Sequence, residues 1–235
     1  MCPLPTEKNK PVRDISKLRT LIYGPPKIGK STLATQNPGA LVLDTDNNGT
    51  EFLECFRVKI STWMDLKLAL GELKKERDAG NERFNTIVID TVDMAYQLCR
   101  QHVCAENGVN HESEDKSFGR IWDLVKAEWM KMIAFANSLG VGITMISHSV
   151  QKEVKIDGVK RTITTLSMSD KPGRMVTALA DVIIYIDEDE NDTRTLFLKP
   201  QAYLECGDRT KALTENIKFQ TEKEAWDKLT GAMSK

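Results

Sequence analysis

The positions of apolar and polar residues along the chain predict an alternation of buried strands and amphipathic helices. Short apolar runs bounded by turn residues indicate strands inside a sheet, and they occur at 18–24, 40–44, 86–90, 141–148, 181–187 and 194–200, with a weaker run at 56–60. Helical spacing of apolar residues lies between them, at 30–36, 62–80, 94–106 and 120–140. This order predicts an α/β fold, a mostly parallel, doubly wound sheet with helices on both faces.

The length and apolar content predict one large domain with short extensions. With 235 residues, 40% of them hydrophobic, the chain can bury a substantial core. We expect a charged, proline-containing leader at 1–16, the α/β core at 17–212 and a tail at 213–235 that forms one amphipathic helix. Two helical stripes are expected in the core: Trp63, Leu66, Leu70 and Leu73, and Ile121, Leu124, Val125, Met132 and Phe135.

Charge and hydropathy narrow the possible partners only slightly. The 33 basic and 34 acidic side chains nearly cancel, so a nucleic-acid partner must be argued from a local patch. No apolar run approaches the roughly 20 residues of a membrane span, and the first residues lack the apolar core of a signal peptide. We therefore expect a cytoplasmic protein without a membrane partner.

The five cysteines are scattered and odd in number, which favours reduced thiols over a disulfide framework. Cys99, His102, Cys104 and His111 lie close enough in sequence to supply zinc ligands. Their spacing matches no common zinc template, so helix packing followed by a polar loop is the preferred interpretation.

A phosphate-binding loop is the clearest chemical signal in the sequence. Residues 24–32, GPPKIGKST, match G-x-x-x-x-G-K-[ST] between a buried strand and a helix. Backbone N–H groups would surround the phosphates, Lys30 would neutralise the β- and γ-phosphates, and Ser31 would ligate magnesium. The predicted cofactors are ATP and Mg²⁺. The predicted nucleotide-binding residues are Gly24, Pro25, Pro26, Lys27, Ile28, Gly29, Lys30, Ser31 and Thr32.

Carboxylates at two strand ends are candidates for the metal and for catalysis. Asp90 ends the run TIVID, and on a strand beside the phosphate-loop strand it would hold the magnesium shell. Asp44 and Asp46 end the run LVLD-T-D, where a carboxylate could orient the attacking water. Acidic residues also favour turns, so a purely structural role for Asp44 and Asp46 stays open.

Ser147 and His148 lie at the end of the next core strand, where a polar side chain could sense the γ-phosphate. A simple capping role for His148 is the alternative. The segment that follows carries an Asp-Gly hairpin signal at 157–158 and an excess of basic residues. Lys152, Lys155, Lys160 and Arg161 are the predicted DNA-binding residues, with Lys171 and Arg174 nearby.

An ordinary solvated hairpin is the alternative for this basic segment. Glu153, Asp157 and Asp170 offset part of its positive charge, which leaves an excess of about three. No aromatic residue interleaves the basic ones, so the sequence does not predict base stacking from this segment.

The order of these motifs resembles the RecA-like ATPases, and more closely the phage-encoded nucleotide-binding proteins that consist of little more than the RecA core. Some of that family are single-strand annealing or recombination proteins. The resemblance covers residues 18 to about 212. It rests on GPPKIGKST, LVLDTD, TIVIDTVD, FGRIWDLVKAEW, TMISHSVQK and KPQAYLECGDR.

The resemblance implies a RecA-like P-loop NTPase fold and assigns roles to several residues. It makes Asp46 the catalytic carboxylate, although the family pattern has the longer Glu, and it makes His148 the sensor where Asn-Gln is usual. It puts the DNA-binding loop directly after the sensor strand. It also implies a basic residue supplied by a neighbouring subunit, for which Lys199 and Arg209 are candidates with Lys211 in reserve. Surface charges on an edge strand are the alternative.

The leading hypothesis is an ATP-hydrolysing protein that forms rings or filaments on single-stranded DNA in phage recombination, in the host cytoplasm if it is phage-encoded. A single-stranded DNA-binding protein is a further candidate partner. A small-molecule kinase is the second hypothesis, although its expected lid at 107–119 contains no arginine, and a low-turnover nucleotide switch is the third. The sequence contains no guanine-recognition N-K-x-D element, no ABC signature and no second helicase lobe. The residues after Arg209 are also too few for an AAA+ helical lid.

Overall fold

The computed structural model describes Leu4 and residues 6–46, 49–114, 119–156, 158–168 and 170–234. Its strands are β1 (Arg19–Gly24), β2 (Ala40–Asp44), β3 (Phe56–Lys59), β4 (Thr86–Asp90), β5 (Gly142–Ile156), β6 (Val159–Leu166), β7 (Val182–Glu188), β8 (Arg194–Phe197), β9 (Gly207–Asp208) and β10 (Ile217–Phe219). Its α-helices are α1 (Lys30–Ala34), α2 (Trp63–Asp78), α3 (Val92–Glu106), α4 (Arg120–Ser138), α5 (Asp170–Leu179) and α6 (Glu222–Met233).

The sheet has the order β10-β8-β7-β1-β5-β4-β2-β3, and its central part from β7 to β3 is parallel. The predicted α/β class with a mostly parallel sheet is therefore confirmed. One expectation was wrong: the strand that ends at Asp90 does not lie beside the phosphate-loop strand, because β5 lies between them. Sequence order does not fix spatial order, since a long crossover can insert a later strand between two earlier ones.

Antiparallel strands extend the parallel centre on one side. β8 pairs antiparallel with β7 and β10 with β8, while β9 lies against β7. The connection between β7 and β8 is too short for a crossover helix, so these strands can only form a hairpin. In the same way β5 continues beyond the sheet and pairs antiparallel with β6, which confirms the hairpin predicted around residues 157–158.

Helices pack on both faces of the sheet and bury two apolar cores. Alternate residues along each strand point to opposite faces, so Leu21 of β1 belongs to the core under α2, α3 and α4, whereas Ile22 belongs to the core under α1 and α6. The predicted stripe on α2 is buried as expected. On α4, Trp129 and Ile133 are buried as well, while Leu124 and Phe135 are only partly buried.

Both chain extensions contribute to this packed body. Ile15, placed in the predicted leader, is 4% exposed and lies in the core under α1 and α6. The tail contains β10 in addition to α6, so the expectation of a single helix there was incomplete. Thr221 begins α6 by accepting a hydrogen bond from the Glu224 N–H, and Leu229 of that helix is buried against the sheet.

Candidate nucleotide-binding site

The predicted phosphate loop connects β1 to α1, with Gly24 ending the strand and Gly29 preceding the helix. A Cβ on Gly24 would lie 2.4 Å from the backbone oxygen of Ile186, so only glycine fits there. Gly29 has a φ of 97°, in the left-handed region that glycine adopts without strain. The loop therefore turns directly into the N-terminus of α1, where unpaired N–H groups favour an anion.

Lys30, the first residue of α1, is 6% exposed and turns back into the loop. Its Nζ donates to the backbone oxygens of Gly24 at 3.1 Å and Pro25 at 2.6 Å. Burial lowers the pKa of Lys30 to about 8, against the opposing influence of the nearby Asp90 and Asp93 carboxylates. Bound phosphates would replace the two backbone oxygens as partners of this ammonium group.

Ser31 and Asp90 meet as a magnesium site requires. The Ser31 hydroxyl lies beside the Asp90 carboxylate, which is 4% exposed, and favours its ionised form. Burial raises the pKa of Asp90, and its Oδ2 atom has no hydrogen-bond partner among the described residues. A buried carboxylate oxygen beside a hydroxyl fits Mg²⁺, which favours hard oxygen ligands. Ser31 and Asp90 would hold this ion, which would supply positive charge to neutralise the phosphates.

The loop after β2 separates the two candidate carboxylates into different environments. Asp44 is buried and accepts hydrogen bonds from Thr50 Oγ1 at 2.6 Å and Arg57 Nε at 2.7 Å, so it holds the loop against β3. Asp46 is half-buried, and its N–H donates to the Asp90 backbone oxygen at 3.2 Å. Both carboxylates, Asp44 more than Asp46, add to the effect of burial in raising the pKa of Asp90, so both lie near it. The hydrogen bonds of Asp44 favour a structural role for that residue and leave Asp46 as the catalytic candidate.

His148 lies in register with Gly24 because β5 pairs directly with β1. Its side chain is half-buried, and Nδ1 has no hydrogen-bond partner among the described residues. Ser147 is fully buried and its hydroxyl donates to the His148 backbone oxygen at 3.2 Å. The insertion of β5 between β1 and β4 therefore brings His148 level with the start of the phosphate loop.

Asp93, which the sequence analysis did not select, is a further carboxylate near Lys30. Its Oδ1 accepts a hydrogen bond from the Ser167 hydroxyl, just beyond β6, and its Oδ2 has no partner in the described part of the chain. The Ser167 N–H also donates to the His148 backbone oxygen at 2.9 Å. The only sequence signal was its position three residues after Asp90.

An ion pair from the end of the chain supports the phosphate loop. Glu222, at the start of α6, pairs with Arg194 of β8. A Cβ on Gly29 would lie 2.3 Å from Glu222 Oε1 and 3.0 Å from an Arg194 guanidinium nitrogen. Glycine at this position therefore admits the ion pair as well as the turn. No sequence pattern linked these three residues, because tertiary packing alone brings them together.

The predicted DNA-binding residues lie on the β5–β6 hairpin. Lys152 and Lys155 belong to β5, and Lys160 and Arg161 belong to β6. Lys160 pairs with Glu153 at 3.2 Å, but both side chains are mostly exposed and such a pair is weak.

The structure adds an aromatic residue to this basic hairpin. The Arg161 guanidinium lies 5.4 Å from the centre of the Tyr203 ring and donates to its hydroxyl. Tyr203 comes from the segment after β8, outside the basic stretch of the sequence.

The candidates for a role in a neighbouring subunit lie beyond β8 and beyond β9. Lys199 is exposed, and its N–H donates to Asn216 Oδ1 at 3.2 Å. Arg209 pairs within the chain with Asp181 at 3.3 Å and donates to the Ala178 backbone oxygen at 3.0 Å. Lys211 is exposed with a φ of 60°.

The candidate zinc cluster has other roles in the fold. Cys99 is buried in the core, and burial raises the pKa of its thiol to about 12. In the described part of the chain there is no group of three or more potential metal ligands. His111 and Glu112 instead contact Arg100 of α3, and the Arg100–Glu112 ion pair anchors the start of the polar segment.

The strand–loop–helix arrangement defines a P-loop ATPase site, with a buried lysine and a serine at the start of α1 and an aspartate at the end of the parallel strand β4. The chain belongs to the AAA domain family (AAA_24), whose model matches residues 16–220. The P-loop fold implies nucleotide binding with Mg²⁺ as the associated metal ion.

The chain is also similar to a curated protein and to a solved structure. The SPbeta prophage-derived uncharacterized protein YorG of Bacillus subtilis (strain 168) is 22% identical over 186 residues, or 78% of this chain and 54% of that protein. The chain thus spans about half the length of this curated relative. A crystal structure of the RadB recombinase matches with 14% identity and a TM-score of 0.49 over 90% of each chain.

Hydropathy identifies no membrane-crossing segment: across the described residues, every helix is too short or too polar to cross a bilayer.

ATP binding should take up a proton at alkaline pH because the pKa of Lys30 is about 8 before phosphates arrive. Below pH 8 the ammonium form is already present, whereas above it a proton must be added, so affinity should fall by up to about tenfold per pH unit. Calorimetry in two buffers of different ionisation enthalpy should give uptake near zero at pH 7 and approaching one proton at pH 9. The Lys30→Arg variant is the control, because its guanidinium stays protonated at both values. Equal proton uptake by both proteins at pH 9 would contradict this assignment.

Proposed function

We propose that this protein binds and hydrolyses ATP and binds single-stranded DNA in phage DNA recombination, by annealing or strand exchange. The observation that carries the proposal is the continuity of β5. This strand bears His148 beside the phosphate loop and runs without interruption to Ile156 in the basic hairpin. A strand shared by both regions provides a direct mechanical route between nucleotide and DNA. The prophage origin of the relative YorG supports the phage context.

In the proposed hydrolysis reaction the residues divide between charge neutralisation and water activation. The loop N–H groups and Lys30 hold the phosphates, and Ser31 with Asp90 would hold Mg²⁺. Asp46 orients the attacking water by accepting its hydrogen bond, which raises the nucleophilicity of the oxygen. His148 contacts the γ-phosphate through a ring nitrogen. Hydrolysis removes the γ-phosphate and this contact with it, which changes the position of the hairpin.

For DNA binding, the hairpin supplies the positive charge that a phosphate backbone requires. Lys152, Lys155, Lys160 and Arg161 occur within ten residues on two paired strands. The rest of the chain carries more acidic than basic residues, so this local excess is the principal attraction for the phosphates. The expected affinity is therefore strongly dependent on salt.

Assembly into a ring or filament completes the proposed mechanism. A basic residue of one subunit would stabilise the transition-state charge at the phosphate loop of the next. Lys199 is the first candidate because it is exposed; Arg209 would have to leave Asp181. A single-stranded DNA-binding protein is the expected further partner, and the host cytoplasm the expected location.

A low-turnover nucleotide switch is the second candidate function. It is favoured by the short side chain of Asp46, which limits reach towards a water molecule. The kinase hypothesis receives less support, because Glu112 in the expected lid segment is 2% exposed and is anchored by Arg100.

Single-stranded DNA should stimulate ATP hydrolysis at low salt, and the stimulation should fade as salt rises because counterion release drives the binding. Steady-state hydrolysis with and without an oligonucleotide, at about 50 and 200 mM salt, measures this effect. The Lys160→Glu, Arg161→Glu double variant should bind the oligonucleotide at least about tenfold more weakly, with a shallower dependence on salt.

The matched control is the Lys74→Glu, Lys75→Glu double variant, which makes the same charge change on the exposed surface of α2. Its oligonucleotide affinity should remain close to that of the unmodified protein. Hydrolysis that does not respond to DNA at either salt concentration would refute DNA-coupled turnover, and equal losses in the two double variants would refute the role of the hairpin.

A further inference from the structure

A groove of about 630 Å³ lies between the β5–β6 hairpin, α5 and residues 201–205. Its volume falls within the range of about 300–1,000 Å³ that is usual for small-molecule sites. Leu166, Met168 and Leu204 contribute apolar surface, and Tyr203, a residue that is 45% exposed, also lines the groove. The groove thus combines an accessible aromatic ring with apolar side chains, a combination that accepts a flat heterocycle.

The segment that carries Tyr203 is held in place by backbone contacts on both sides. The Thr164 N–H of β6 donates to the Tyr203 backbone oxygen at 2.9 Å. Two residues later, the Glu205 backbone oxygen accepts a hydrogen bond from the hydroxyl of the buried Tyr23 at 2.6 Å. Because this backbone is already ordered, a ligand that contacts the ring loses little additional conformational entropy on binding.

The Tyr203 ring is also oriented by its side-chain neighbour. Arg161 lies over the ring and donates to its hydroxyl, yet Arg161 does not line the groove. The guanidinium therefore fixes the ring without occupying the groove. Arg side chains commonly lie over aromatic rings in nucleic-acid sites, where aromatic stacking and positive charge both contribute to binding.

The charges that border the groove favour an anionic ligand. Lys152 and Arg174 line it, and Arg161 stands next to it. Glu153 and Glu205 also line it, and Lys160 stands next to it through its contact with Glu153 at 3.2 Å, so four basic groups border the groove against two acidic ones. A nucleotide unit matches this set, with its base on the aromatic surface and its phosphate near the cations.

From this geometry we infer that the groove is a nucleobase-binding site for single-stranded DNA in which one base stacks on Tyr203. The inference rests on the proposed function, because it specifies how the same hairpin holds the strand. It also replaces the expectation from sequence that the hairpin contacts DNA only through phosphates. Stacking on an aromatic ring is sequence-tolerant, so all four bases should be accepted.

The test compares two oligonucleotides of equal length, one of thymidines and one of abasic sites. The unmodified protein should bind the thymidine strand more tightly. Tyr203→Ala should weaken its binding by about 5- to 100-fold, the usual contribution of one stacked base, and should not alter binding of the abasic strand. Tyr203→Phe should retain most of the preference. The fluorescence of 2-aminopurine in a bound strand should be quenched by the unmodified protein and not by Tyr203→Ala.

Trp122→Ala is the matched control, because Trp122 on α4 is 47% exposed, close to the value for Tyr203. It should leave the preference for the thymidine strand unchanged. Thermal unfolding checks that each variant is folded; if Tyr203→Ala is not, the 2-aminopurine measurement on the unmodified protein and on Tyr203→Phe decides.

The possible outcomes separate this inference from the proposed function. Equal binding of the thymidine and abasic strands by the unmodified protein, without quenching of 2-aminopurine, would overturn the stacking site and leave DNA binding intact. Failure to bind either strand at low salt would overturn the proposed function and the inference with it. If Tyr203→Ala altered self-association and left DNA affinity unchanged, the groove would be an interface between copies of this chain and the inference would be wrong.

Discussion

Replacing Lys30 with methionine should reduce ATP turnover by about 10²- to 10³-fold or more, the usual effect of removing a group that stabilises transition-state charge. The methionine side chain has a similar length and fills the same buried space, so the loop should keep its shape. What is lost is the ammonium group that would contact the β- and γ-phosphates. Steady-state hydrolysis at saturating ATP, together with nucleotide affinity, measures the two consequences separately.

The same variant should be more stable than the unmodified protein at pH 7, by about 1–2 kcal/mol, because it removes a buried charge. The pKa of Lys30 is about 8 in the folded protein against 10.5 as the ordinary value. The unfolded chain therefore binds more protons between these values, and the stability of the unmodified protein rises with pH across that window. Urea unfolding at pH 7 and pH 10 should show the advantage of the variant at pH 7 and little of it at pH 10.

Lys27→Met is the matched control for Lys30→Met, because Lys27 belongs to the same loop but its side chain is exposed. The contribution expected from Lys27 comes through its backbone, so this variant should lose far less turnover and gain no stability at pH 7. Similar losses of turnover in both variants would show that Lys30 has no special position, and the assignment of the phosphate site would be wrong.

Asp46→Asn should lower kcat by about 10²- to 10⁴-fold and leave nucleotide affinity nearly unchanged. The amide keeps the size of the side chain but cannot accept a proton from the attacking water. Single-turnover hydrolysis and equilibrium binding of the nucleotide separate these two effects. An unchanged kcat would exclude Asp46 as the catalytic carboxylate and would direct attention to Asp93, which lies near Lys30 together with Asp90.

Two further variants sharpen the interpretation of Asp46. Asp46→Glu adds the methylene that the RecA-like pattern has, and it should retain or raise turnover if reach limits the rate. A large increase in turnover would favour the hypothesis that the unmodified protein is a low-turnover nucleotide switch. Asp44→Asn should instead reduce stability, because it weakens the buried hydrogen bonds from Thr50 and Arg57. Urea unfolding therefore distinguishes the structural aspartate from the catalytic one.

The sequence predicted the secondary structure of the centre well, for a physical reason. Buried parallel strands require continuous apolar runs, and the run at 40–44 coincides with β2. An amphipathic helix must repeat its apolar residues with its own period, and the four residues of the α2 stripe are all buried. The antiparallel edge was harder to predict from the sequence, because strands of two or three residues such as β9 and β10 are too short to show an apolar pattern.

Local sequence alone determined the phosphate loop, because its conformation depends on residues adjacent in the chain. The turn itself needs only Gly24, Gly29 and Lys30, although tertiary packing against Ile186 and Glu222 adds a second reason for glycine at the first two positions. The strand-end position of Asp90 was equally legible, since an apolar run that stops at a carboxylate indicates the edge of a sheet. The phosphate loop and the position of Asp90 were therefore enough to predict a P-loop site from the sequence.

Only the tertiary structure decided which distant groups meet at that loop. The insertion of β5 between β1 and β4 brings His148 level with Gly24, and packing of α6 brings Glu222 against Gly29. Tyr203 joins the basic hairpin from a segment about forty residues away in sequence. Strand order and helix docking are set by the burial of apolar surface over the whole chain, which has no local signature, so these contacts could not be read from the sequence.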